Sequence, residues 1–230
     1  MYIMMENTDY SQTAGSPTMP YFNELARQYA QFPQSYGWTY PSLPNYMMFL
    51  AGSTLSKGIR RECNPGQSGC KKPLHAQTLV DQMEAAGISW HAYFQDDVSG
   101  CNDKPADFFH GNYDVEHNAF AYLADFPTQC QHLSNFGPLL SNLSAPGAAD
   151  FNWVIPDLDN DGGDNGTMSS GDTWLAAELP QIMNTPWYRH GGQIVISYDT
   201  GYEDGQGVQR IRRRTGSRAW WSRPTPRAWA

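Results

Sequence analysis

Trp38-Thr39-Tyr40-Pro41-Ser42-Leu43-Pro44-Asn45-Tyr46-Met47-Met48-Phe49-Leu50-Ala51-Gly52 sets a serine between two prolines and runs straight into a helical pattern. Pro41 favours an extended approach, Ser42 can act as an N-cap, and Pro44 is tolerated in a first turn. Leu43, Met47 and Leu50 share one face and Gly52 stops the pattern, so the stretch predicts a helix with the Ser42 hydroxyl at its N-terminus. Such a terminus presents unpaired N–H groups and partial positive charge, which suit a phosphate or an oxyanion. Ser42 is either a plain capping serine or a candidate nucleophile, and the flanking chain weighs between the two.

Upstream, the apolar run Met1 to Met5 ends in Glu6-Asn7, a buried strand delivering polar groups at its C-terminal end. Active residues of open α/β sheets lie at that end. Phe22, Leu25, Ala26 and Tyr29 recur at helical spacing. Downstream, Thr54 to Leu74 turns to Gly, Lys, Arg and Cys, a surface excursion. Leu79, Val80, Met83 and Ala86 then form a helical face closed by Gly87, and Ile88, Trp90, Ala92 and Phe94 alternate with Ser89, His91 and Tyr93 as in a strand.

Gln95 to Asp107 reads as loop, followed by helices around His117 to Leu123 and from Leu133 to Leu143. Phe151 to Ile155 is strand-like and is halted by Pro156, while Asp172 to Asn184 predicts a helix kinked near Pro180. A last strand, Gly192 to Tyr198, delivers Asp199-Thr200. This alternation predicts an α/β fold, a mostly parallel central sheet with helices on both faces.

A length of 230 residues suits one sizeable α/β domain, expected over residues 1–207. Residues 208–230 break the pattern: beyond position 209 come seven arginines and no acid, which reads as a disordered or aberrant tail, or else as a basic arm. Residues 1–209 hold 8 basic against 23 acidic side chains, a balance that argues against a nucleic-acid partner and suits carboxylates gathered round a cation. No apolar run approaches the length of a transmembrane segment.

Cys63, Cys70, Cys101 and Cys130 show no zinc or redox spacing, and the economical pairing is Cys63 with Cys70 and Cys101 with Cys130. Disulfides point to a secreted or extracytoplasmic protein, whose leader is then expected to be missing from this chain because the N-terminus has no signal peptide; free buried thiols in a cytosolic protein are the alternative.

Glu6-Asn7, Ser42 and Asp199-Thr200 all fall at strand ends or at the helix after one. A carboxylate-bound divalent cation beside a hydroxyl is what phosphoryl transfer to serine needs: the cation screens the phosphate and lowers the hydroxyl pKa, and an amide such as Asn7 donates to a phosphoryl oxygen. Asp157, Asp159, Asp161 and Gly162 match the first half of a calcium loop, but Met168 stands where the bidentate Glu belongs. That loop is therefore an independent calcium site, a solvated turn, or a segment facing Ser42 with Asp161 and Asp164 as ligands. Among the histidines, His117 in Glu116-His117-Asn118 is the one kept as a phosphate contact. No Gly-x-Ser-x-Gly elbow, Walker loop or His-Glu-x-x-His is present, which excludes those signatures of lipase-type hydrolases, nucleotide triphosphatases and zinc peptidases.

Taken together, Met4-Met5-Glu6-Asn7, Tyr40-Pro41-Ser42-Leu43-Pro44-Asn45-Tyr46, Gly87-Ile88-Ser89-Trp90-His91-Ala92-Tyr93, His117-Asn118, Gly171-Asp172-Thr173-Trp174-Leu175 and Ile194-Val195-Ile196-Ser197-Tyr198-Asp199 resemble the phosphoesterase family. This family holds acid phosphatases and phospholipases C within the alkaline-phosphatase-like superfamily. The resemblance implies a three-layer α/β sandwich, here truncated at both ends, that hydrolyses small phosphate monoesters through a phosphoserine. Ser42 would be the nucleophile, with Asn7 assisting. Asn7, Asn45 and His117 would contact substrate, and Glu6, Asn7, Asp199, Asp161 and Asp164 would hold the metal. A phospholipase-C-type phosphodiesterase, or an inactive member that binds phosphate or calcium, are the alternatives. Three departures bear on this: Thr200 replaces a common acidic residue, Asp164 stands where the family often has His, and the arginine-rich tail replaces further sheet and helix.

Overall fold

Residues 1–33, 35–55, 57–67, 70, 74–97 and 109–201 are described in the computed structural model. The chain begins with β1 (Tyr2–Met5), α1 (Tyr10–Thr13), α2 (Pro20–Gln28), α3 (Ser42–Ala51) and α4 (Leu79–Ala85). The middle holds β2 (Trp90–Phe94), a short hairpin of β3 (Phe109–His110) and β4 (Tyr113–Asp114), α5 (Phe126–Gln129), β5 (Leu133–Asn135) and α6 (Leu139–Ser144). It ends with β6 (Phe151–Ile155), α7 (Met168–Met183), α8 (Pro186–Arg189) and β7 (Val195–Tyr198). Five strands form one sheet in the order β5-β2-β6-β1-β7, and every pairing is parallel.

Successive side chains of a strand point to opposite faces, so strands apolar at every position need cover on both sides. Met4, Trp90, Ala92, Phe94, Trp153 and Ile155 join Leu43, Tyr46, Met47 and Leu50 of α3 and Val80 of α4 in one core. Ile3, Met5, Tyr93 and Val154 join Leu139 and Leu143 of α6 and Trp174, Leu175, Leu179 and Ile182 of α7 in the other. The result is the expected α/β sandwich with helices on both faces.

Parallel strands put all their carboxyl ends on one edge. Met5 is in register with Tyr198, so Glu6-Asn7 and Asp199-Thr200 leave the sheet side by side. The loop after β6 folds back over them, and the Glu6 N–H donates to Asp161 O at 3.0 Å. Gly163 permits that approach: a Cβ there would lie 2.5 Å from Glu6 O and 2.7 Å from Asn7 Cβ.

Three expected elements differ. The helix expected from Leu133 to Leu143 splits into β5 and α6, because Leu133 pairs with Ala92 at the sheet edge and Pro138 becomes the cap of the later helix. Around His117 two 3₁₀ turns, Val115–His117 and Ala119–Tyr122, stand in place of one helix. Helix α7 starts earlier than expected, at Met168, because the side chains of Thr167 and Ser170 cap its first turn reciprocally. Pro180 lies inside it, and β7 is shorter than the expected Gly192–Tyr198 strand.

Cys63 and Cys70 form the expected disulfide. Cys101, the partner expected for Cys130, lies outside the described residues, as do the domain boundary expected at residue 207 and the arginine-rich tail. Among the described residues no helix is long and apolar enough to cross a membrane.

Candidate active site

Ser42 is the first residue of α3 and Pro41 is its cap, so the hydroxyl is not used for capping as the sequence allowed. The core fixes the helix that carries it: Leu43, Tyr46 and Met47 are fully buried, and Gly52, at φ 63°, closes the last turn on Met48 O. The freed hydroxyl donates to Glu6 Oε2 at 2.8 Å. Tyr46, one turn further along the same face, donates to Glu6 Oε1 at 2.5 Å and stacks on the His117 ring with centroids 5.1 Å apart.

His117 Nε2 in turn lies 3.5 Å from both Glu6 Oε1 and Asp164 Oδ2. Asn7 links the remaining carboxylates, its backbone N–H donating to Asp199 Oδ1 at 3.2 Å and its side-chain amide to Asp164 Oδ1 at 2.6 Å. Asn7 holds a left-handed conformation, φ 42°, which asparagine tolerates better than most residues. Glu6, Asn7, Ser42, His117, Asp164 and Asp199 are thus brought together from five segments of the chain.

Asn45 takes another place. The Asn45 amide accepts from the N–H groups of Trp38 and Thr39 and donates to Thr39 O and Pro41 O, which fixes the loop leading into Ser42 and leaves no hydrogen-bonding capacity for substrate. Asp161 lies beneath the cluster, fully buried, with Oδ1 accepting from the N–H groups of Gly163 and Asp164. The calcium-loop pattern does not converge: Asp157 closes its own turn on Asp159 and Asn160, and Asp159 Oδ2 accepts from Asn112. Sequence reading passed over Tyr46 and Glu62. Tyr46 had a signal, its position four residues after Ser42, whereas Glu62 sat in a stretch read only as surface.

Electrostatics set the character of the site. Burial holds the Glu6 carboxyl well above the usual range, reinforced by Asp199, Asp164 and Asp161. Asp199 is raised by burial against the opposing pull of His117, and Asp161 is pushed up to about 8, also by burial first. Glu116, half-buried, is likewise raised to about 8, by burial first and then by Asp114 and Glu62. So dense a group of acids fits a divalent cation. Asn7 Oδ1, Asp161 Oδ2 and Asp199 Oδ2 are buried without a hydrogen-bond partner among the described residues. Glu6, His117 and Asp164 also each offer a ligand atom within 4.8 Å of the others. Oxygen and imidazole donors of this kind suit several first-row divalent ions. The residue at 200 offers no carboxylate, its hydroxyl donating to Gly201 O at 3.4 Å, but Asp164 brings one to His117 from the opposite loop.

The profile of the phosphoesterase family matches residues 10–206. The chain belongs to the phosphoesterase family. Among curated relatives, it is 27% identical over 210 residues to a phosphatidylinositol-3-phosphatase of Mycobacterium tuberculosis, a match covering 91% of this chain and 64% of that protein. It is 22% identical to a probable acid phosphatase of Kluyveromyces lactis, over 86% of this chain and 46% of that one. An acid phosphatase of Aspergillus niger is 23% identical over 90% of this chain and 49% of its own length. The chain therefore spans about half to two thirds of the length of these relatives.

Proposed function

We propose that the chain hydrolyses phosphate monoesters through a phosphoserine formed on Ser42, with a divalent cation held by Glu6, Asn7, Asp164, Asp199 and His117. The observation that carries the reading is the 2.8 Å hydrogen bond from the Ser42 hydroxyl to the Glu6 carboxylate at the carboxyl edge of a parallel sheet. The three phosphatase names among the relatives favour a monoester over a diester.

Ser42 Oγ attacks phosphorus, and its proton passes to Glu6 along the bond already in place. The bond from phosphorus to the ester oxygen breaks, and the alcohol leaves with a proton from solvent. The Asn7 side-chain amide is the donor near the phosphoryl oxygens. Water then attacks phosphorus of the phosphoserine, which releases phosphate and restores the hydroxyl. When bound, the cation supplies charge neutralisation to the phosphoryl group and a lower pKa for the hydroxyl. Secretion or export fits the Cys63–Cys70 disulfide.

Hydrolysis of an aryl phosphate and of the matching aryl diester, with and without a chelator and with each divalent ion restored, tests the proposal. Monoester turnover that disappears in Ser42→Ala supports it. A Ser42→Ala variant as active as the wild type removes the nucleophile assignment, and a wild type inert with every ion removes the enzyme reading.

A further inference from the structure

The backbone N–H of Ser42 is already taken: Glu62 Oε1 accepts it at 3.2 Å, and Ser42 itself is 2% exposed. Glu62 reaches this position from outside the sheet, in the turn after the 3₁₀ segment Gly58–Arg60. Its neighbour Cys63 is tied twice, by the disulfide to Cys70 and by its carbonyl oxygen, which accepts from the Tyr122 hydroxyl at 2.9 Å. The carboxylate is therefore held against the head of α3 by a restrained loop rather than by a free side chain on a mobile one.

A helix-terminal N–H beside the attacking oxygen is a natural donor for a phosphoryl oxygen. An incoming phosphoryl group meets a carboxylate there. Burial raises the Glu62 carboxyl above its usual range; the Ser42 N–H and His117 favour its charged form, whereas Asp114, Asp164 and the neighbouring Glu116 disfavour it. Resting on the phosphoserine reading above, we propose that Glu62 is a specificity-determining residue that selects phosphoesters by charge. It admits a singly charged phosphoryl group and disfavours a doubly charged one. A monoester loses its second proton near pH 6, so the same molecule is a good substrate when monoanionic and a poor one when dianionic. A diester carries one charge throughout this range and is indifferent to the device. Monoester turnover is then favoured on the acid side of the substrate's second ionisation, where the phosphoryl group carries one charge against the Glu62 carboxyl.

The test compares wild type, Glu62→Gln and Glu62→Ala by kcat/KM on an aryl phosphate at pH 5 and pH 7.5, in the presence of the activating ion. The matching diester is followed in parallel, by its turnover or as a competitive inhibitor. Glutamine keeps an oxygen for the Ser42 N–H and removes only the charge. The expected result is a gain on the monoester at pH 7.5, relative to pH 5 and to the diester, of about four-fold or more, the factor for one unit charge about 5 Å away in water-like surroundings. Equal ratios for both substrates at both pH values in the two variants overturn the proposal. With Ser42→Ala added to the series, loss of the underlying reading appears separately, as a serine variant that keeps its activity.

Discussion

Tyr46 and Glu6 are joined by a buried 2.5 Å hydrogen bond in which the tyrosine hydroxyl donates to the carboxylate that also receives the Ser42 hydroxyl. The tyrosine ring, stacked on His117, therefore fixes both the acceptor of the serine proton and the imidazole beside it. Burial raises the hydroxyl pKa of Tyr46, and the nearby Glu6 charge raises it further, so the group remains a donor at neutral pH.

For Tyr46→Phe, the ring and its stacking remain while one charge-assisted hydrogen bond is lost. The expected cost is about 1.5–3 kcal/mol in urea unfolding with unchanged m. The rate constant kcat should fall about ten-fold, the equivalent of about 1.4 kcal/mol in the transition state. A variant with wild-type midpoint and wild-type kcat would show that the bond has neither role.

Cation and pH should act on stability together. Asp161 is raised to about 8, and Glu6 and Asp199 are raised as well, so between the ordinary carboxylate range and that value the folded chain binds more protons than the unfolded one. The stabilising contribution is complete at low pH and is lost as pH rises through this window. With chelator present, thermal unfolding at pH 8 should come several degrees below that at pH 5.5, on the order of 5 °C. A divalent ion should restore more at pH 8 than at pH 5.5, because deprotonated carboxylates bind it. Identical melting temperatures at the two pH values, with and without ion, would falsify the placement of the cation among these acids.

Gly163→Ala places a methyl group against backbone, 2.5 Å from Glu6 O, and not against a side chain that can turn away. The loop carrying Asp161 and Asp164 has to lift from the end of β1. An overpacked site of this kind costs about 1–3 kcal/mol, and the Asn7 to Asp164 hydrogen bond should be lost with it. The check is a lower affinity for the activating ion, read by titrating activity, beside a lower urea midpoint. Unchanged ion affinity would mean that the loop does not contribute to the cation site.

Much of this was visible in the chain. Near-continuous apolar runs such as Met1 to Met5 and Trp90 to Phe94 report a two-sided core directly, because successive strand side chains point to opposite faces. Leu133 to Leu143 misled because short apolar runs fit helix and strand alike, and a parallel neighbour, Ala92, settled the matter for Leu133. Asn45 lay in the most informative stretch of all, yet its amide belongs to the loop before Ser42, a role visible only once Trp38, Thr39 and Pro41 are seen around it.

The sequence by itself determined the alternation of strand and helix, the helix behind Ser42, and the polar residues that end β1 and β7, since each depends on neighbours within a few positions. Tertiary structure alone decided that Glu6 receives the Ser42 hydroxyl, that Asp164 meets His117 although the residue at 200 is not acidic, and that Glu62 lies on the serine amide. Those contacts join residues 20 to 47 positions apart, or further in the case of Asp199 and Asn7. They exist because parallel pairing gathers every strand end on one edge, and no local pattern encodes which loops will meet there.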